Sequence, residues 1–191
     1  MEGILISYQI IPKDKRIEAE FELSDLLMLL AKKYPGIDNI DKFLVHLPFR
    51  GLLLLDLSDY VKNLSNEEKI ELKKLFLEEF EKAKEEQRAR AIVKVVPFDK
   101  LVRTDLVEIE KAVAELSTRI TGKWRITLRR RGDVKLKRED IIKAAAKPID
   151  TSKYPVDLKN PDFVVYIDII GDLTGILIAT KDEAKKLKLK S

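Results

Sequence analysis

No cysteine occurs anywhere in the 191 residues, which removes disulfide frameworks, thiolate metal sites and cysteine nucleophiles together. The single histidine, His46, sits in an apolar stretch with no acidic or nucleophilic neighbour in sequence; it reads as structural and leaves little for a zinc or iron centre. The longest apolar run, Gly51 to Leu55, is too short to cross a bilayer. The N-terminus carries an acid at Glu2 and no basic stretch, so no signal peptide is expected. Also missing are the glycine fingerprints of dinucleotide and phosphate loops, the G-x-S-x-G elbow and a deaminase-type His/Cys set. Asp157, Asp162, Asp168 and Asp172 have a spacing that fits no calcium loop. The expectation is a soluble, cytoplasmic protein with no cofactor, no metal, no small-molecule substrate, no membrane association and no catalytic centre of its own.

Charge is what the chain has in abundance. Lys and Arg number 37 and Asp and Glu 33, so charged residues make up 37% of the chain, a thermophile-like composition. The net charge of +4 conceals an asymmetry: residues 1–90 hold 15 basic and 18 acidic side chains, a net of −3, and residues 91–191 hold 22 and 15, a net of +7. A basic second half points to a polyanionic partner for that half.

Hydrophobic periodicity orders the first half. Ile4 to Ile11 alternates as a strand. Glu18 to Lys33 carries Phe21, Leu26, Leu27, Leu29 and Leu30 at helical spacing and stops at Pro35-Gly36. Phe43–Leu47 and Leu52–Leu57 read as strands. Ser65 opens a helix reaching about Arg88, and Ala91 to Val96 is β-branched. The order β-α-β-β-α-β is the ferredoxin-like pattern. The second half begins with a helix capped by Thr104 and ended by Gly122, then a strand from Lys123 to Arg131. A helix over Lys137–Ile149 and strands at Phe163–Ile170 and Gly175–Ala179 follow, then a basic tail over 181–191. The fold class is α/β (α+β), with domains at 1–97 and 98–180.

Between Lys123 and Arg138 lies the densest basic stretch: Lys123, Arg125, Arg129, Arg130, Arg131, Lys135, Lys137 and Arg138, against the single acid Asp133. Strand alternation sends Trp124, Ile126 and Leu128 one way and Arg125, Thr127 and Arg129 the other. Trp124 therefore belongs to the core rather than to a stacking platform. A cationic face continued through Gly132 into a helix start can neutralise phosphates, and arginine grips them with two hydrogen bonds. The competing reading is a solvated face on a lysine-rich protein. Lys185, Lys186, Lys188 and Lys190 either extend the patch or form a soluble end. Asp157 is placed to cap the Asn160-Pro161 turn through backbone amides.

The run from Trp124 to Gly132, then Val156-Asp157-Leu158-Lys159-Asn160-Pro161-Asp162, Ile167 to Asp172 and Thr174-Gly175-Ile176, resembles the THUMP domain over roughly residues 92 to 180. The resemblance implies an RNA-binding module of tRNA modification, preceded by a ferredoxin-like domain against which it packs. Most such proteins continue into a catalytic domain, whereas this sequence ends soon after its last strand. It therefore looks most like the stand-alone branch, the adaptor that presents tRNA to a cytidine acetyltransferase acting in trans. In that family tRNA is held by its acceptor end, which implicates the Arg125–Arg131 strand and the turn after it, with Arg50, Arg88 and Arg90 as candidates in the first domain. The alternatives are the RNA-binding subunit of a split tRNA methyltransferase or another modification enzyme, and a protein–protein scaffold whose basic face meets an acidic partner.

Overall fold

In a computed structural model describing residues 1–189, the chain divides into two compact units, one spanning Met1–Asp99 and the other beginning at Lys100. Both are mixed α/β, and the first has the ferredoxin-like order. Its elements are β1 (Gly3–Tyr8), α1 (Arg16–Ala31), α2 (Ile40–Phe43), β2 (Leu44–Val45), β3 (Leu52–Asp56), α3 (Ser58–Val61), α4 (Asn66–Glu85) and β4 (Ile92–Phe98). The strands lie in the order β2-β3-β1-β4, every neighbour antiparallel. The Leu52–Leu55 run reads as continuously apolar because it is buried on both sides of the sheet. Ser65 and Glu68 form a reciprocal capping box that fixes the start of α4.

Three sequence expectations need adjusting here. The strand expected over Phe43–Leu47 shrinks to two residues, because Ile40–Phe43 completes a helical turn and Phe43 is buried. His46 follows it on the surface instead of inside an apolar strand. On α1 the residues that enter the core are Ala19, Leu23, Leu26, Leu27 and Leu30, whereas Phe21 is 68% exposed.

The first unit also buries an ion pair. Lys73 on α4 reaches Asp99 with Nζ–Oδ1 at 2.6 Å, the side chains 11% and 2% exposed. Replacing Lys73 by Ala takes the cation from a carboxylate that is 2% exposed. The expected cost is about 3 kcal/mol, or roughly 10 °C in Tm, measurable by thermal melts. Lys73→Met combined with Asp99→Leu should recover most of it, because the desolvation penalty disappears with the second charge.

The second unit contains β5 (Lys100–Arg103), α5 (Leu106–Leu116), a 3-10 turn (Ser117–Arg119), β6 (Trp124–Arg131), α6 (Arg138–Ala146), β7 (Phe163–Ile170), β8 (Leu173–Thr180) and α7 (Lys181–Lys186). The sheet order is β5-β8-β7-β6, with β6 parallel to β7 and the other pairs antiparallel. One face carries the core: Ile109, Val113 and Leu116 of α5 and Ile141 and Ala145 of α6 pack with Trp124, Leu128, Val165, Ile167, Ile169, Ile176 and Ile178. Asp105 rather than Thr104 caps α5, accepting from the amides of Val107 and Glu108 at 2.8 and 3.1 Å. The Thr104 hydroxyl instead meets Gly171 O and the Thr174 hydroxyl. The basic tail forms α7, opened by a Thr180–Glu183 capping box, while Lys190 and Ser191 lie outside the described residues.

Candidate nucleic-acid interface

Strand β6 is the edge of its sheet, and among the described residues its outer flank meets no further strand, only a single bridge at its start. Its first residues are fixed by the chain segment that returns before β7. Val156 bridges Trp124, the Asp157 amide donates to Trp124 O at 2.9 Å, and the amides of Asp162 and Phe163 donate to Lys123 O at 2.8 and 3.0 Å. The indole of Trp124 is buried, 2% exposed, and its Nε1 donates to Tyr154 O at 2.7 Å. That satisfies the polar atom and keeps the ring in the core. Gly122 leaves room at this crossing: a Cβ there would come within 2.8 Å of Asp162 Oδ2, the atom that accepts from the Lys123 amide, and would have to displace that side chain.

The turn between is built by Asp157. Its Oδ1 accepts from the amides of Lys159 and Asn160 at 3.0 and 2.9 Å, as expected of an Asx cap. These backbone donors hold its carboxyl below the ordinary carboxylate range, and Lys123, 3.5 Å from Oδ2, adds to the effect. The cap is thus complete above the ordinary aspartate pKa and is lost only as pH falls through the depressed value.

This turn, the start of β6 and helix α7 enclose an open groove of about 420 Å³. Its lining includes Arg125, Thr127, Lys159, Asn160, Lys181 and Lys185, and no acidic side chain among the described residues. Arg125 Nη1 donates to Leu158 O at 2.9 Å, while its Nε is buried with no hydrogen-bond partner. The guanidinium is therefore anchored at one end with a donor left over. Lys181 Nζ meets Asn160 Oδ1, which ties α7 to the turn. Four cations converging without a counter-charge attract an anionic group into the groove.

The eight basic residues named from sequence do not form one surface. Arg125 lines the groove, and Lys123 lies beside it, paired with Asp157. Arg129, Arg130, Lys135, Lys137 and Arg138 are exposed at the other end, around the turn into α6. Arg131 lies six positions along the strand from Arg125, roughly 20 Å at strand rise. Arg130 Nη1 donates to Leu136 O at 3.3 Å.

Arg131, expected on the phosphate face, is committed elsewhere. Its Nε and Nη2 donate to Oδ1 and Oδ2 of Asp168 at 3.0 and 3.1 Å, and Asp168 is fully buried. The Tyr166 hydroxyl donates to the same Oδ2 at 2.9 Å. Burial first, and then the Asp168 charge, push the Tyr166 phenol well above the ordinary range, so it remains a donor.

Lys159, Asn160 and Lys181 are site residues that the charge pattern of the strand did not reveal. For Lys159 and Asn160 the cue is the returning turn: a segment whose amides bond the first residues of β6 must carry its side chains to that end of the strand. Among the described residues no group of three or more His, Cys, Asp or Glu is placed to hold a metal, and no helix is long and apolar enough to cross a membrane.

Residues 103–179 match the THUMP domain, so the second unit carries one, from the end of β5 to the end of β8. No curated protein matches the chain. Among solved structures, the crystal structure of PH1313 from Pyrococcus horikoshii Ot3 is similar with a TM-score of 0.54 and 17% identity, covering 94% of this chain and 54% of that one. A 4-thiouridine synthetase crystallised as an RNA complex with bound ATP has a TM-score of 0.54 and 13% identity, covering 94% of this chain and 41% of that one. At such identities the likeness is one of fold, and the chain spans about half the length of either, 54% and 41%.

Proposed function

We propose that this protein binds tRNA through the THUMP-containing unit and presents it to a modification enzyme acting in trans, with a cytidine acetyltransferase as the favoured enzyme. The observation that carries the reading is the groove of Arg125, Lys159, Lys181 and Lys185, formed by the THUMP-matched residues together with α7. A THUMP domain within tRNA modification and a similar fold solved in complex with RNA support the same partner. What the groove offers is charge, an amide and a hydroxyl, the means to hold and orient a phosphate backbone. Phosphate contacts fix register and orientation but carry little base information, so choice of nucleotide falls to the enzyme. Holding the substrate beside an enzyme turns a weak encounter into a nearly intramolecular one. On this reading the protein has no turnover of its own.

The test is tRNA cytidine acetylation by a purified acetyltransferase with acetyl donor, with and without this protein at substrate levels well below saturation. A rate gain of about tenfold or more is expected from raised effective concentration, abolished by Lys159→Glu/Lys181→Glu. No gain, with tRNA binding intact, transfers the adaptor role to a different enzyme such as a methyltransferase. Acetylation or methylation by the protein alone overturns it.

A further inference from the structure

The side of α1 turned away from the core is apolar where a surface helix is ordinarily polar. Ile17, Phe21, Met28 and Leu29 are 65%, 68%, 55% and 42% exposed. Positions 17, 21 and 28 fall at the i, i+4, i+11 spacing that places them on one stripe. Ala19, Leu23, Leu26, Leu27 and Leu30 already fill the inward face, so the exposed set is not needed for folding. A contiguous apolar patch with an aromatic centre and an adaptable methionine is the composition of a protein contact surface.

The charge around the stripe chooses the occupant. From Ile17 to Ala31 the helix carries Glu18, Glu20, Glu22 and Asp25 and no base. Glu22 spends its carboxylate on the amides of Ala91 and Ile92, and Arg16 holds Glu20 at 3.4 Å. Glu18 and Asp25 are exposed; Glu18 has Lys13 at 3.9 Å, a loose and exposed pair, and Asp25 has no basic partner among the described residues. Two copies of α1 set face to face would oppose acid to acid whichever way they ran, which disfavours self-association. The same acids repel nucleic acid and anionic lipid.

We propose that the outer face of α1, centred on Phe21, docks a partner protein whose contact surface is apolar and rimmed with lysine and arginine. Ile17, Phe21 and Met28 bury against that surface, and Glu18 and Asp25 meet its rim. This stands whether or not the groove on the other unit binds tRNA.

The chain's two methionines make the test direct, because Met1 is 1% exposed and Met28 lies in the stripe. In protein labelled with ¹³C at the methionine methyls, a synthetic helical peptide with a leucine face and a lysine rim should move the Met28 signal saturably and leave Met1 in place. A peptide with glutamate at the rim should bind at least about tenfold more weakly. Phe21→Glu should weaken the lysine-rimmed peptide by about tenfold or more, and Asp25→Lys should reverse the preference between the two. An unchanged Met1 signal reports that each variant is folded. Four results overturn the proposal: no saturable shift, equal affinity for both peptides, a light-scattering dimer dissolved by Phe21→Glu, or a Met28 shift with phosphatidylcholine vesicles.

Discussion

Arg131→Ala is expected to destabilise the second unit by about 3–5 kcal/mol while leaving the tRNA affinity of the folded fraction within about threefold of wild type. The guanidinium fills both oxygens of a carboxylate that is 0% exposed, and among the described residues the other side-chain donor to that carboxylate is the Tyr166 hydroxyl. Removing the arginine leaves a buried charge with one neutral donor. The cation contributes little to attracting phosphate in any case, since Asp168 neutralises it at contact distance. Arg131→Lys keeps the charge but loses the two-pronged geometry, so it should fall between. Melts followed by circular dichroism, with binding measured well below the midpoint, separate the two effects. A stable Arg131→Ala protein with binding much reduced would return this residue to the RNA surface. The triad has an alkaline signature as well. A phenol whose pKa is raised on folding supports the fold fully below the ordinary tyrosine value of 10.0, and that support declines as pH rises above it.

Lys159→Glu/Lys181→Glu is expected to lower tRNA affinity on the order of 100-fold near 0.1 M salt with melting unchanged. Both side chains are exposed, and neither belongs to the packed face of the sheet. Each reversal removes an attraction and adds a repulsion in a groove otherwise free of acids, so the pair changes the local charge by four. Arg130→Glu/Lys135→Glu, at the far end of β6, serves as the comparison. A smaller effect there places the anion in the groove, whereas an equal effect means that tRNA runs the length of the strand. Filter binding or fluorescence anisotropy with labelled tRNA suffices for either.

The order of elements was legible because it rests on local signals. The Ser65 capping box, the stop at Pro35-Gly36 and the two-residue period of β6 each follow from backbone chemistry within a few residues. Phe21 shows where that method ends: helical period groups it with leucines that do enter the core, and only the packed structure shows it facing outward. The Thr104 cap moved by one residue because Thr104 has hydroxyl partners some seventy positions away.

The candidate site was legible in part. Counting positive charge located β6, and the VDLKNPD turn was visible as a turn with an aspartate cap. Which arginine is available was not legible. In the parallel register Asp168 stands opposite Arg129, yet it is Arg131, two residues further on the same face, that takes it. Lys159 and Lys181 were hidden for the same reason, since their approach to Arg125 depends on how the returning turn and α7 pack at the end of one strand.

The central claim, that the groove of the THUMP-containing unit holds tRNA phosphates, is tested most directly by the salt dependence of tRNA binding for wild type and Lys159→Glu/Lys181→Glu. Wild type should weaken steeply as salt rises, and the variant's plot of log affinity against log salt should be shallower by about 1.5 to 2, one condensed counterion per lost phosphate contact. Coincident lines with equal affinity would contradict the claim and leave the groove a solvated face of a basic domain.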